Sequence, residues 1–103
     1  MPYLISFAKW PSHETAEVMK KAIEELKKFP ADESFGEELV SGNAIKATEA
    51  GVRSLTVLHV SKGKLEAAYN RSQAVANFYA LGIEGFEYTL EIWSTIELSL
   101  IHI

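Results

Sequence analysis

Residues 52–60, VRSLTVLHV, and residues 3–10, YLISFAKW, decide the fold of this chain. Side chains alternate between the two faces of a strand, so each stretch is read one face at a time. In the first, Val52, Leu58 and Val60 lie on one face, and Leu55 and Val57 on the other. In the second, Tyr3, Ile5 and Phe7 oppose Leu4, Ala8 and Trp10. Both stretches are apolar on both sides, which predicts two central strands needing cover above and below. Pro11 cannot donate to a ladder and ends the earlier strand at Trp10.

Between these strands the period changes. A helix is predicted from an N-cap at Ser12, with Glu14 favourable to the helix dipole, to Phe29. Ala16, Met19, Ala22, Ile23, Leu26 and Phe29 recur at helical spacing and are expected to face the core. Glu17, Lys20, Lys21, Glu24, Glu25, Lys27 and Lys28 form the opposite, solvated face, with Glu17–Lys21 and Glu24–Lys28 as favourable i,i+4 pairs. Pro30 stops the helix, and residues 30–36 read as a loop. Residues 37–48 read as an irregular strand interrupted near Gly42, or as a small hairpin turning at Gly42-Asn43. Glu49-Ala50-Gly51 then connects to the strand at 52–60.

A second helix is predicted from Lys64 to Leu81, with Leu65, Ala68, Tyr69, Val75, Ala76 and Tyr79 as its stripe and Phe78 beside it. Gly82 and Ile83 suit a left-handed C-terminal cap with its hydrophobic contact. Residues 86–95, FEYTLEIWST, alternate cleanly. Phe86, Tyr88, Leu90 and Ile92 face one way; Glu87, Thr89, Glu91, Trp93 and Thr95 face the other. Residues 96–103, IELSLIHI, continue the alternation as a fifth, C-terminal strand, with Ile96, Leu98, Leu100, Ile101 and Ile103 too apolar to stand in water.

The 103 residues, 48% hydrophobic and 23% charged, fit one α+β domain over 1–103, without repeats or low-complexity segments. A net charge of −4 disfavours nucleic acid as a partner. No apolar run approaches the roughly 20 residues of a membrane span. The first residues, MPYLISFAKWP, lack the pattern of a signal peptide, so a cytoplasmic protein is expected. The absence of cysteine removes disulfides, thiol catalysis, iron–sulfur ligation and cysteine zinc sites.

The element order is β-α-β-β-α-β, which in the ferredoxin-like arrangement places the first and third strands centrally in an antiparallel sheet. Two helices cover only one face of such a sheet. A second copy of the chain is the economical cover for the other, giving a homodimer or a higher homo-oligomer. This order, the double-sided central strands and the segment LGIEGFEYTLEIWS (81–94) resemble the dimeric α+β-barrel superfamily, in particular small uncharacterised prokaryotic members of it. That superfamily includes cofactor-independent monooxygenases, lactone isomerases, haem-binding dismutases and ligand-sensing domains, so the resemblance implies a fold before it implies an activity.

The only histidines are His13, His59 and His102, and none are spaced as metal ligands, so no metal and no cofactor is expected. His59 sits near the end of a double-sided strand, where an imidazole suits general-base chemistry. Glu91 shares a strand face with Trp93, a pairing able to bind and polarise a small apolar molecule. Trp10, Asn43 and Arg53 complete the candidate ligand-binding set. Three functions follow as expectations. One is a homodimer binding a small apolar molecule. Another is a monooxygenase- or isomerase-like enzyme, a type of activity the resemblance implies, using His59 and Glu91. The third is a subunit of a larger homo-oligomeric assembly.

Overall fold

The computed structural model describes residues 1–96, apart from the side chains of Gly42 and Asn43. Among the described residues, β1 (Tyr3–Trp10), β2 (Gly36–Thr48), β3 (Gly51–Val60) and β4 (Glu87–Trp93) form one sheet in the order β2-β3-β1-β4. Each neighbouring pair is antiparallel. Two helices, α1 (Thr15–Lys28) and α2 (Leu65–Gly82), follow β1 and β3. The fifth strand expected at the C-terminus, with Leu98, Leu100, Ile101, His102 and Ile103, lies outside the described residues.

The core sits between the helices and one face of β1 and β3. Leu4, Val60 and Ala68 of α2 make one buried cluster, to which Leu58, Leu65, Tyr69 and Phe35 add partly buried surface. Trp10, Val52, Val18 of α1 and Ile83 make a second, flanked by Ala8, Tyr79 and Phe86. Phe86 stacks between Trp10, at 6.1 Å, and Tyr79, at 5.5 Å. The Trp10 indole N–H donates to Thr15 Oγ1 at 3.2 Å, so its polar edge is satisfied inside the core.

The uncertain stretch at 37–48 is one strand and not a hairpin. It pairs with β3 from Gly36↔Val60 to Thr48↔Gly51, with register shifts between Glu38 and Val40 and between Val40 and Ala44. Such irregularities let a long strand follow its partner through a change of twist. Gly36 is required where β2 begins: its φ is +150°, and a Cβ there would collide with the carbonyl oxygen of His59.

Three local expectations are corrected. Helix α1 starts at Thr15, and the Ser12 carbonyl, not its hydroxyl, accepts the Thr15 O–H at 2.8 Å. Gly82 is the last residue of α2 and not a left-handed cap; Ile83 turns extended and enters the core, and Gly85, at φ +80°, makes the turn. The largest correction concerns the rotation of α1. Its inward face is Val18, which packs in the Trp10 cluster, with Lys21, Glu25 and Phe29, to which α2 offers aromatic and cationic partners. The Tyr79 hydroxyl donates to Glu25 Oε1 at 2.5 Å, and Lys21 Nζ lies 4.3 Å above the Phe78 ring. Arg71 donates to the Phe29 carbonyl at 3.1 Å and also to that of Pro30. The stripe expected to be core therefore faces outward, with Met19 64%, Ile23 62% and Leu26 73% exposed.

These placements separate two leucines that the sequence treats alike. Leu4→Ala is expected to cost about 2–5 kcal/mol by opening a core cavity. Leu26→Ala is expected to stay within about 0.5 kcal/mol of wild type, as surface substitutions do. Urea melts of the two variants measure this; equal costs would place the α1 stripe in the core.

Candidate functional site

Residues directly opposite in an antiparallel ladder share a face, so the register maps the helix-free side of the sheet. Tyr3 lies between His59 and Trp93, Ile5 between Val57 and Glu91, Phe7 between Leu55 and Thr89, and Lys9 between Arg53 and Glu87. Strand β2 extends these rows with Glu37 beside His59, Val40 beside Val57, Ala44 beside Leu55 and Lys46 beside Arg53. The result is a face of four rows with chemically distinct ends.

The middle of this face is apolar. Ile5 is buried, Leu55 and Val57 are half-buried, and Phe7 is 37% exposed although it belongs to a central strand. One end is basic, with Lys46, Arg53 and Lys9, of which Lys9 pairs with Glu87 at 3.2 Å. A depression of about 300 Å³ lies at this end, lined by Phe7, Lys9, Arg53, Glu87 and Thr89 among others. The opposite end is aromatic and acidic. Tyr3 stacks on His59 with centroids 4.9 Å apart, and the Trp93 indole N–H donates to Glu91 Oε1 at 2.9 Å.

The candidate residues distribute unevenly over this map. His59, Glu91, Trp93 and Arg53 all lie on the helix-free face. His59 and Glu91 are nevertheless not neighbours on it. Strand β1 runs between them, and two strand spacings with an offset of one row separate their backbones by about 12 Å. The His59 ring makes its stacking contact and no hydrogen bond among the described residues. Arg53 stands at the far end of the sheet from Trp93. Trp10 is corrected: it is even in the β1 alternation, shares the face of Leu4 and Ala8, and is buried in the core on the opposite side from Trp93. The Asn43 side chain lies outside the described residues. His13 is an exposed residue 3.7 Å from Glu14. Among the described residues no three His, Asp or Glu side chains gather as a metal-ligand set.

A second concavity escaped the reading of the sequence. A groove of about 430 Å³ runs between α1 and α2 over Phe29, Phe78 and Leu81, with Lys21 and Lys28 on its rim. Both ammonium groups lie over Phe78, at 4.3 and 5.0 Å from the ring centroid. The signal was the seven-residue spacing of Lys21 and Lys28, which puts them on one side of the helix and which charge alone assigns to solvent.

The chain matches no family model, and no curated protein or solved structure is significantly similar to it. No helix among the described residues is long and apolar enough to cross a membrane.

Beside the groove, Tyr79 is held neutral well above the usual tyrosine range, first by burial, then by its hydrogen bond to Glu25 and by that carboxylate's charge. A raised phenol pKa stabilises the fold fully below the unfolded value near 10 and progressively less as pH rises towards the folded value. At pH 8, Tyr79→Phe should cost about 1 kcal/mol, the hydrogen bond being partly exposed and screened. Urea melts at pH 8 and pH 11 should show the gap between wild type and variant closing at the higher pH; a constant gap would mean that the bond contributes nothing pH-dependent.

Proposed function

We propose that the chain works as a homodimer of the α+β-barrel type, two ferredoxin-like protomers joined through the helix-free faces of their sheets and holding a small apolar molecule between them. The observation that carries this is the apolar middle of that face, Ile5, Phe7, Leu55, Val57 and Val40, on the side away from both helices. A sheet with one solvated face normally makes that face polar. Here the two central strands are as apolar outward as inward, and Phe7 and Trp93 stand out from the surface at 37% and 54% exposure. An exposed apolar patch bounded by charges has the composition of an association site.

Binding is favoured over catalysis because His59 and Glu91 stand two strand spacings apart, Glu91 is engaged by the Trp93 indole, and the middle of the face is apolar. Two opposed faces of this kind provide apolar walls with a few polar groups at the ends, the usual make-up of a small-molecule pocket.

Light scattering at low micromolar concentration should give twice the 11.5 kDa chain mass. Phe7→Glu should give a folded monomer, since a carboxylate cannot be buried unpaired in an apolar interface. A thermal-shift screen of small apolar molecules should raise the Tm of wild type and leave that of the monomeric variant unchanged. A stable wild-type monomer would overturn the proposal.

A further inference from the structure

We infer that the two sheets meet reversed end for end, about a two-fold axis running across the strands, so that Arg53 and Lys46 of each copy cover the acidic and aromatic end of the other. This rests on the homodimer proposed above and fixes its geometry.

Two aligned sheets packed face to face offer two directions for an in-plane two-fold axis. An axis along the strands places each end of the face over the same end of the copy. An axis across the strands places each end over its opposite. The apolar middle tolerates both, because Phe7 and Leu55 in one row and Ile5 and Val57 in the next are alike in chemistry. The ends do not. Lys46, Arg53 and Lys9 less Glu87 leave the basic end at +2, and Glu37 in the last row with Glu91 in the row beside it puts the carboxylates of the other end at −2. The first axis therefore opposes +2 to +2 and −2 to −2; the second opposes +2 to −2 at both ends. Like charges brought together in an interface select against the wrong partner arrangement.

The individual groups favour the same solution. Lys9 is already paired with Glu87, whereas Arg53 and Lys46 have no ion-pair partner among the described residues. Glu37 likewise has none, and it lies beside the Tyr3–His59 stack. With the axis across the strands, β3 lies over its own copy, so Arg53 arrives above the His59 position with Glu37 on one side and Tyr3 on the other. A planar guanidinium matches a carboxylate flanked by aromatic faces better than any other side chain does. Lys46, on β2, arrives above Glu37 itself.

Charge reversal tests this with two variants at exposed positions, each checked by circular dichroism for an unchanged fold. Arg53→Glu alone and Glu37→Lys alone should each raise the dimer dissociation constant about tenfold or more, since each opposes like charges at both ends. The double variant, and an equimolar mixture of the two single variants, should return to within a few-fold of wild type, because opposite charges then meet at both ends. If Arg53→Glu dimerises as well as or better than wild type and mixing gives no rescue, the sheets are not reversed, and the homodimer stands without this geometry. If wild type is itself monomeric, the homodimer falls and this inference with it.

Discussion

The structure depends on one constraint: β1 and β3 are apolar on both faces, and the chain supplies helices to only one of them. Everything on the covered side follows from satisfying the first face. Leu4, Trp10, Val52 and Val60 are buried under Val18, Ala68 and Ile83, and Phe86 stacks across Trp10 to close the seam. The second face is left without helices, with Phe7 37% exposed and charge concentrated at both ends. Polar alternation would have left this side as an ordinary wet sheet surface. Its apolar middle is the most informative feature of the chain.

Much of this was legible in the sequence because a period of two carries face information directly. The assignment of Leu55 and Val57 to one face, and Val52, Leu58 and Val60 to the other, is the one found, as is the placing of Thr89, Glu91 and Trp93 opposite Tyr88, Leu90 and Ile92. The same alternation put Trp10 with Leu4 and Ala8, which was reason enough to assign it to the core and not to a ligand set. The helices were less legible. A helical stripe says that apolar residues lie together, not which neighbour they meet. In α1 the inward face was won by Val18, Lys21, Glu25 and Phe29, whose partners Phe78, Tyr79 and Arg71 are more than forty residues away. No local pattern encodes such long-range pairings.

For most of the candidate residues the face was legible in the sequence, and the arrangement on it was not. His59 and Glu91 were each placed on the right face, but their separation depends on β1 lying between β3 and β4, a property of topology. The ends of the face became meaningful only once the register put Lys46, Arg53 and Lys9 in one row and Glu37, His59, Tyr3 and Trp93 in another. Charges scattered over four strands in the sequence are ordered by pairing into a polarised surface.

The central claim is that two copies meet through their helix-free faces. The chain has no cysteine, so a single introduced thiol can carry a spin label without competition. Labels at Thr89→Cys, exposed on the helix-free face, and at Glu66→Cys, exposed on α2, report on opposite sides of the molecule. Sheets packed about 10 Å apart should bring the Thr89 labels of two copies within about 20 Å and hold the Glu66 labels much farther apart. A short distance at Glu66 with none at Thr89 would contradict the account.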